Sequence, residues 1–119
     1  MKQSILKDKS KAFALRIIRL YKHLVNTKNE YVLSKQILRS GTSIGANVAE
    51  AFYAQSDADF ISKLSISQKE TSETIYWLEL LQESDYISEV DFNSINTHAI
   101  ELMRILTSSI KTMKTKLNH

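Results

Sequence analysis

The sequence predicts an all-α protein: an antiparallel up-down-up-down four-helix bundle, one domain over residues 1–119. Three observations carry this. The chain of 119 residues has no proline and only two glycines, too little turn punctuation for a β-rich fold. Apolar residues recur at helical spacing through four long segments. The polar breaks between those segments are short, so consecutive helices must run antiparallel.

The first helix is expected over about residues 4–27. Leu6, Phe13, Ile17, Leu20, Tyr21 and Leu24 share one face, and Lys9, Arg16, Arg19, Lys22 and His23 the other. The second is expected over about 31–54, with Leu33, Ile37, Ile44, Val48 and Ala51 as its apolar stripe. Its middle, Ser40 to Asn47, is made almost wholly of small residues and contains both glycines. Two interior glycines cost a helix roughly 1 kcal/mol each. A loop is the competing interpretation. The period continues unbroken through Ile44 and Val48, which favours a helix whose glycines, one turn apart, admit a neighbouring backbone.

Ser56 followed by Asp57 and Asp59 has the form of an N-cap with acidic first-turn residues. The third helix is expected over about 57–83, with Phe60, Leu64, Thr71, Ile75 and Leu78 facing inward. A second stripe of Ile66, Glu70, Glu73, Trp77 and Leu80 lies roughly opposite. A tryptophan there suggests burial against something outside the simple bundle, such as another subunit. Ser88-Glu89-Val90-Asp91 repeats the capping pattern, and the fourth helix is expected over about 88–116 on a seam from Phe92 to Leu117. The basic tail from Lys114 to His119 should fray.

Composition excludes several classes. There is no cysteine, hence no disulfide framework, thiolate metal site or cysteine nucleophile. No apolar run approaches the roughly 18 residues of a membrane span. The start, MKQSILKDKSKAF, lacks the apolar region of a signal peptide, so the cytoplasm is the expected location. The net charge of +3 conceals segregation: residues 1–30 carry net +6 and residues 56–91 net −7. Such segments can pair within a bundle or between copies of it.

Arg39-Ser40-Gly41-Thr42-Ser43-Ile44-Gly45-Ala46-Asn47-Val48-Ala49-Glu50-Ala51 resembles the signature of the four-helix-bundle family named for intervening sequences in bacterial 23S ribosomal RNA genes. The continuation agrees: Asp59-Phe60-Ile61 with Lys63-Leu64, Lys69-Glu70, Glu73-Thr74 and Tyr76-Trp77-Leu78. The specific part is residues 39–78; the outer helices match only as amphipathic helices of suitable length. The resemblance implies a ring-shaped homopentamer. It also extends to the accessory protein of diversity-generating retroelements, which implies nucleic acid and a reverse transcriptase as possible partners. The older label "S23 ribosomal protein" does not imply membership of the ribosome.

Three constellations are candidates for function. Arg39, Ser43, Asn47 and Glu50 form a polar ladder beside the stripe of the second helix. It is either a binding groove or, as favoured here, a hydrogen-bonded seam between helices or subunits. Glu70 and Glu73 beside Trp77 could suggest an acid/base pair. Carboxylates one turn apart on one helix cannot flank a bond from opposite sides, so an interface with arginines or lysines of another helix is expected, the basic first segment being a natural supply. The basic face of the first helix (Lys9, Arg16, Arg19, Lys22, His23) suits phosphate contact with little base discrimination. The plainer alternative is a solvated face, or one neutralised by the acidic third helix. The Glu-x-x-His pattern of di-iron bundles is missing, as are Ser-His-Asp order and phosphate-cradling loops, so neither metal, cofactor nor enzymatic activity is expected. The expectation is a nucleic-acid-binding accessory protein, with a protein-interaction scaffold as the alternative.

Overall fold

The computed structural model describes residues 2–118, with side chains from Ile5 onward. Four helices fill the chain: α1 (Lys2–Asn26), α2 (Leu33–Ala51), α3 (Asp57–Glu83) and α4 (Glu89–Leu117). The third has the bounds its capping pattern predicts. Ser56 and Ser88 are its cap and that of α4, their hydroxyls accepting from the N–H of Asp59 (3.0 Å) and Asp91 (3.1 Å).

The second helix is shorter than expected at both ends. At its start the buried Glu30 carboxylate accepts from the N–H groups of Val32 (3.2 Å), Leu33 (3.0 Å) and Ser34 (2.6 Å). These donors have no partner within the helix. Asn29, at φ 54°, turns the chain so that Glu30 can reach back. At the other end Phe52 leaves the helix and meets Phe60 edge to face at 6.3 Å. The fourth helix continues past Lys114 to Leu117, one residue beyond the expected end, and Asn118 N–H donates to Lys114 O. His119 lies outside the described residues.

The topology can be read from which residues meet. Between α2 and α3, Ser40 meets Thr74, Ile44 meets Ser67 and Glu50 meets Lys63. As one number rises the other falls, so the two helices are antiparallel. Gly41 facing Ile17 and Gly45 facing Ser10 give the same sense for α1 and α2. So do Lys9 with Glu101 and Arg16 with Ser94 for α1 and α4. Each helix packs on its two neighbours around a square. Among the described residues neither diagonal pair, α1 with α3 or α2 with α4, approaches closely. The rod measures 51 × 22 × 20 Å. Leu6, Phe13, Ile17 and Leu24 of α1, Ile37, Ile44 and Val48 of α2, Leu64, Leu78 and Leu81 of α3, and Leu102 and Leu106 of α4 form its core.

The glycines are explained by the α1–α2 contact. A Cβ on Gly41 would stand 2.8 Å from Ile17 Cγ1 and Cγ2, and one on Gly45 3.2 Å from the Ser10 carbonyl oxygen. Close approach offsets the poor helix propensity of both, and the segment is helical rather than a loop.

Square packing corrects one expectation. Within one chain the acidic third helix does not neutralise the basic first, because the two occupy opposite corners.

Candidate functional site

Of the seven residues expected at an interface, Arg39 and Glu50 of α2 pair across the α2–α3 seam, Arg39 with Glu70 and Glu73 and Glu50 with Lys63. Arg39 donates to Glu70 Oε2 (3.2 Å) and to Glu73 Oε2, and Trp77 Nε1 donates to Glu73 Oε2 (3.0 Å). The counter-charge of the two glutamates is therefore Arg39 of α2, not the basic first segment. Lys63 pairs with Glu50 at 3.5 Å. Ser43 and Asn47 do not bond across the contact. Each donates to its own helix, to Arg39 O (2.6 Å) and Ser43 O (2.9 Å). Trp77 is half-buried against the chain's own core, with its ring edge on Tyr76 at 5.2 Å.

Inside the seam, beneath these ion pairs, the bonds that cross come from buried hydroxyls. Ser67 donates to Ile44 O (2.8 Å). Thr74 Oγ1 lies 2.9 Å from Ser40 Oγ and 2.8 Å from Glu70 O. One hydroxyl hydrogen cannot serve both, so Ser40 donates to Thr74 when Thr74 donates to Glu70. In sequence, a serine or threonine on an apolar stripe was the available signal for these partners, and it marks burial without naming the partner.

The α1–α4 seam is built differently. Its cross-links are exposed or partly exposed side chains reaching over a gap. Lys9 Nζ donates to Glu101 Oε1 at 3.1 Å. Arg16 Nη2 donates to Ser94 Oγ (2.6 Å), while Nη1 reaches Ser94 O (3.3 Å) and His98 Nδ1 (3.0 Å). A guanidinium only donates, so His98 Nδ1 accepts and the ring proton sits on Nε2.

Two recesses lie along this gap and meet at Arg16 and Arg19. One, of about 350 Å³, is lined by Lys9, Ala12, Phe13, Arg16, Arg19, His98, Glu101 and Leu102. The other, of about 280 Å³, is lined by Arg16, Arg19, Leu20, His23, Ile87, Asp91 and Ile95. Four of the five basic residues expected on one face, Lys9, Arg16, Arg19 and His23, thus line one groove. Lys22 lines neither recess and is exposed elsewhere on α1. The α4 contribution (Ser94, His98, Glu101, Asp91) was missed, because the periodicity of α4 reports its apolar seam and not the register in which α1 lies beside it.

The arrangement is a groove lined by three cationic side chains, Lys9, Arg16 and Arg19, and two carboxylates, Glu101 and Asp91. Among the described residues no cluster of three or more histidine, aspartate or glutamate side chains is placed to hold a metal ion, and no helix is long and apolar enough to cross a membrane.

The family model of the 23S rRNA-intervening sequence protein matches residues 2–108. The chain belongs to this family. A crystal structure of a protein of unknown function from the S23 ribosomal protein family of Bacteroides thetaiotaomicron is 58% identical in sequence. The match covers 93% of this chain and 99% of that one, with a TM-score of 0.93. No match was found among curated proteins. In this 23S rRNA-intervening sequence protein, residues 39–51, whose pattern resembles the family signature, lie on α2, the helix that forms the closed seam with α3. The basic groove lies at the other side of the bundle, away from that signature.

Proposed function

We propose that this member of the 23S rRNA-intervening sequence protein family is a non-enzymatic, cytoplasmic nucleic-acid-binding accessory protein whose α1–α4 groove contacts phosphates. The carrying observation is that Lys9, Arg16, Arg19 and His23 converge on one groove while the acidic α3 lies at the opposite corner of the bundle. The binding is led by backbone charge, because the groove offers no exposed aromatic side chain for stacking. On this reading copies assemble as the homopentameric ring that the family resemblance implies, repeating the groove around the ring. Where the gene lies within a retroelement, a reverse transcriptase is the expected protein partner.

The test is fluorescence anisotropy of nuclease-treated protein with structured RNA and with duplex DNA, titrated against salt. Lys9, Arg16 and Arg19 on phosphates give a slope of log K against log salt near −3 on duplex, about 0.9 per contact. The pair Arg16→Glu and Arg19→Glu should lower affinity by about a hundredfold or more, with the helical content and melting temperature of the parent. Unchanged affinity would remove the groove from the reading.

A second reading, a protein-interaction scaffold, is favoured by one observation: Ile66 and Tyr76 are exposed on the acidic α3, and Leu15 on the basic α1. Complementary faces with apolar centres suit association between copies. A defined assembled mass with no nucleic-acid binding at low salt would make this reading the leading one.

A further inference from the structure

The larger recess of the α1–α4 groove is a bounded compartment. The Lys9–Glu101 pair crosses the groove at one end and the Arg16 contacts with Ser94 and His98 cross it at the other. Lys9 and Arg16 are seven residues apart, roughly 10 Å along the helix axis. Between them the lining is apolar: Ala12, Phe13 and Leu102, the last two fully buried in the core. The volume of about 350 Å³ falls at the lower end of small-ligand sites, about 300–1,000 Å³.

Charge is unevenly distributed along this compartment. Glu101 is paired with Lys9 at one end, while Arg16 and Arg19 stand together at the other with no carboxylate of this recess beside them. A ligand that fits therefore has an anionic group on one side and an uncharged flat body on the other. Inorganic phosphate satisfies only the arginines and leaves the apolar floor wet. A base that is paired and stacked within a duplex is not free to enter such a recess without first leaving the stack.

We propose that this recess receives one unpaired nucleotide, its phosphate on Arg16 and Arg19 and its base on the Ala12–Phe13–Leu102 floor, so that the protein prefers single strands to duplex. This rests on the nucleic-acid reading above and narrows it to a substrate class. Of the three, Ala12 is exposed and presents the contact surface, with Phe13 and Leu102 buried beneath it, so the base meets an aliphatic surface and not the aromatic platform that single-strand binders commonly use. The base and the phosphate are then held by different helices, α4 sharing the floor through Leu102 and α1 supplying the arginines.

The experiment compares a fluorescent mixed-sequence 12-mer with the same strand annealed to its complement, at one salt concentration. Adenosine monophosphate and inorganic phosphate serve as separate competitors. The single strand should bind about tenfold more tightly than the duplex, since contact with one base is worth a factor of that order. Adenosine monophosphate should displace it at concentrations where inorganic phosphate does not. Ala12→Phe, at an exposed α1 position that closes the recess, should remove the preference for single strand over duplex. Lys22→Glu, outside the recess, should weaken both forms alike.

Equal affinity for the two forms, or equal competition by the two anions, overturns the compartment and leaves the phosphate-contacting groove in place. The competition is read on the unaltered protein, so it decides even if Ala12→Phe does not fold. Failure of both nucleic acids to bind at low salt overturns the compartment and the nucleic-acid reading together.

Discussion

Two seams of the same bundle, α2–α3 and α1–α4, join antiparallel helices of similar length by opposite means. The α2–α3 seam is closed from the inside. Ser40, Ser67, Thr71 and Thr74 are fully buried, and each bonds either across the seam or to its own helix. Arg39 then bridges two glutamates over the outer edge. The α1–α4 seam is held from the outside by long side chains spanning a gap, with Lys9 and Glu101 exposed by 43% and 46%. Buried hydroxyls fix the register of two helices because a slip would orphan polar groups in the core. Exposed ion pairs impose no such penalty. The register of α2 on α3 is thus fixed by buried polar groups, while the α1–α4 seam keeps a recess of about 350 Å³ between its exposed cross-links.

The contrast can be broken most strongly at Thr74. Thr74→Val keeps the shape of the side chain but deprives Ser40 Oγ of its 2.9 Å partner inside the closed seam. Urea denaturation should show a loss of about 1–3 kcal/mol. A loss below about 0.5 kcal/mol would mean that packing alone holds α2 on α3.

A smaller effect is expected at Glu30, which starts the helix common to the closed seam and the α1–α2 contact. Burial pushes its carboxyl upward, but donation from the backbone N–H groups of Leu33, Ser34 and Val32 outweighs it and holds the group below its ordinary value. A depressed carboxylate contributes stability that is fully present above its unfolded value near pH 4.3 and is lost as pH falls below that through the lower folded value. Glu30→Gln should cost about 1 kcal/mol at pH 7 and flatten the fall in stability below pH 4.3, measured by denaturation at a series of pH values. An unaltered acid profile would assign the cap no ionic component.

The smallest stability effect is expected across the open seam. Lys9→Ala should change the unfolding free energy by less than about 0.5 kcal/mol, while the salt slope for duplex binding shrinks by about 0.9. A large loss of stability there would erase the distinction between the seams.

The legibility of the molecule in its sequence divides along similar lines. What depends on one helix was readable: the bounds of α3, the caps at Ser56 and Ser88, the stripe through Ile44 and Val48, and the need for a close neighbour at Gly41 and Gly45. The cap at Glu30 was not, since it requires the left-handed turn at Asn29 to fold a carboxylate back over the helix start. What depends on two helices was only partly readable. Helical period reports a face without reporting who meets it. Glu70 and Glu73 were therefore assigned to the wrong basic segment, Ser43 and Asn47 were expected to bond outward, and His98, Ser94 and Glu101 were not joined to Lys9 and Arg16. Residues 39–51 carry the recognisable pattern, yet they belong to the closed seam, so the family could be read more easily than the candidate site.

The diagonal placement of the basic α1 and acidic α3 also sets how far each is felt. The bundle is 20–22 Å across, whereas at physiological ionic strength the screening length is about 8 Å. A polyanion resting on α1 therefore responds to the local excess of the first segment, net +6 over residues 1–30, rather than to the molecular total of +3. In dilute salt the screening length grows beyond the width of the rod, and the acidic corner begins to count against the approach. The molecule then acts as a transverse dipole, turned by a distant polyanion to present α1 before contact is made.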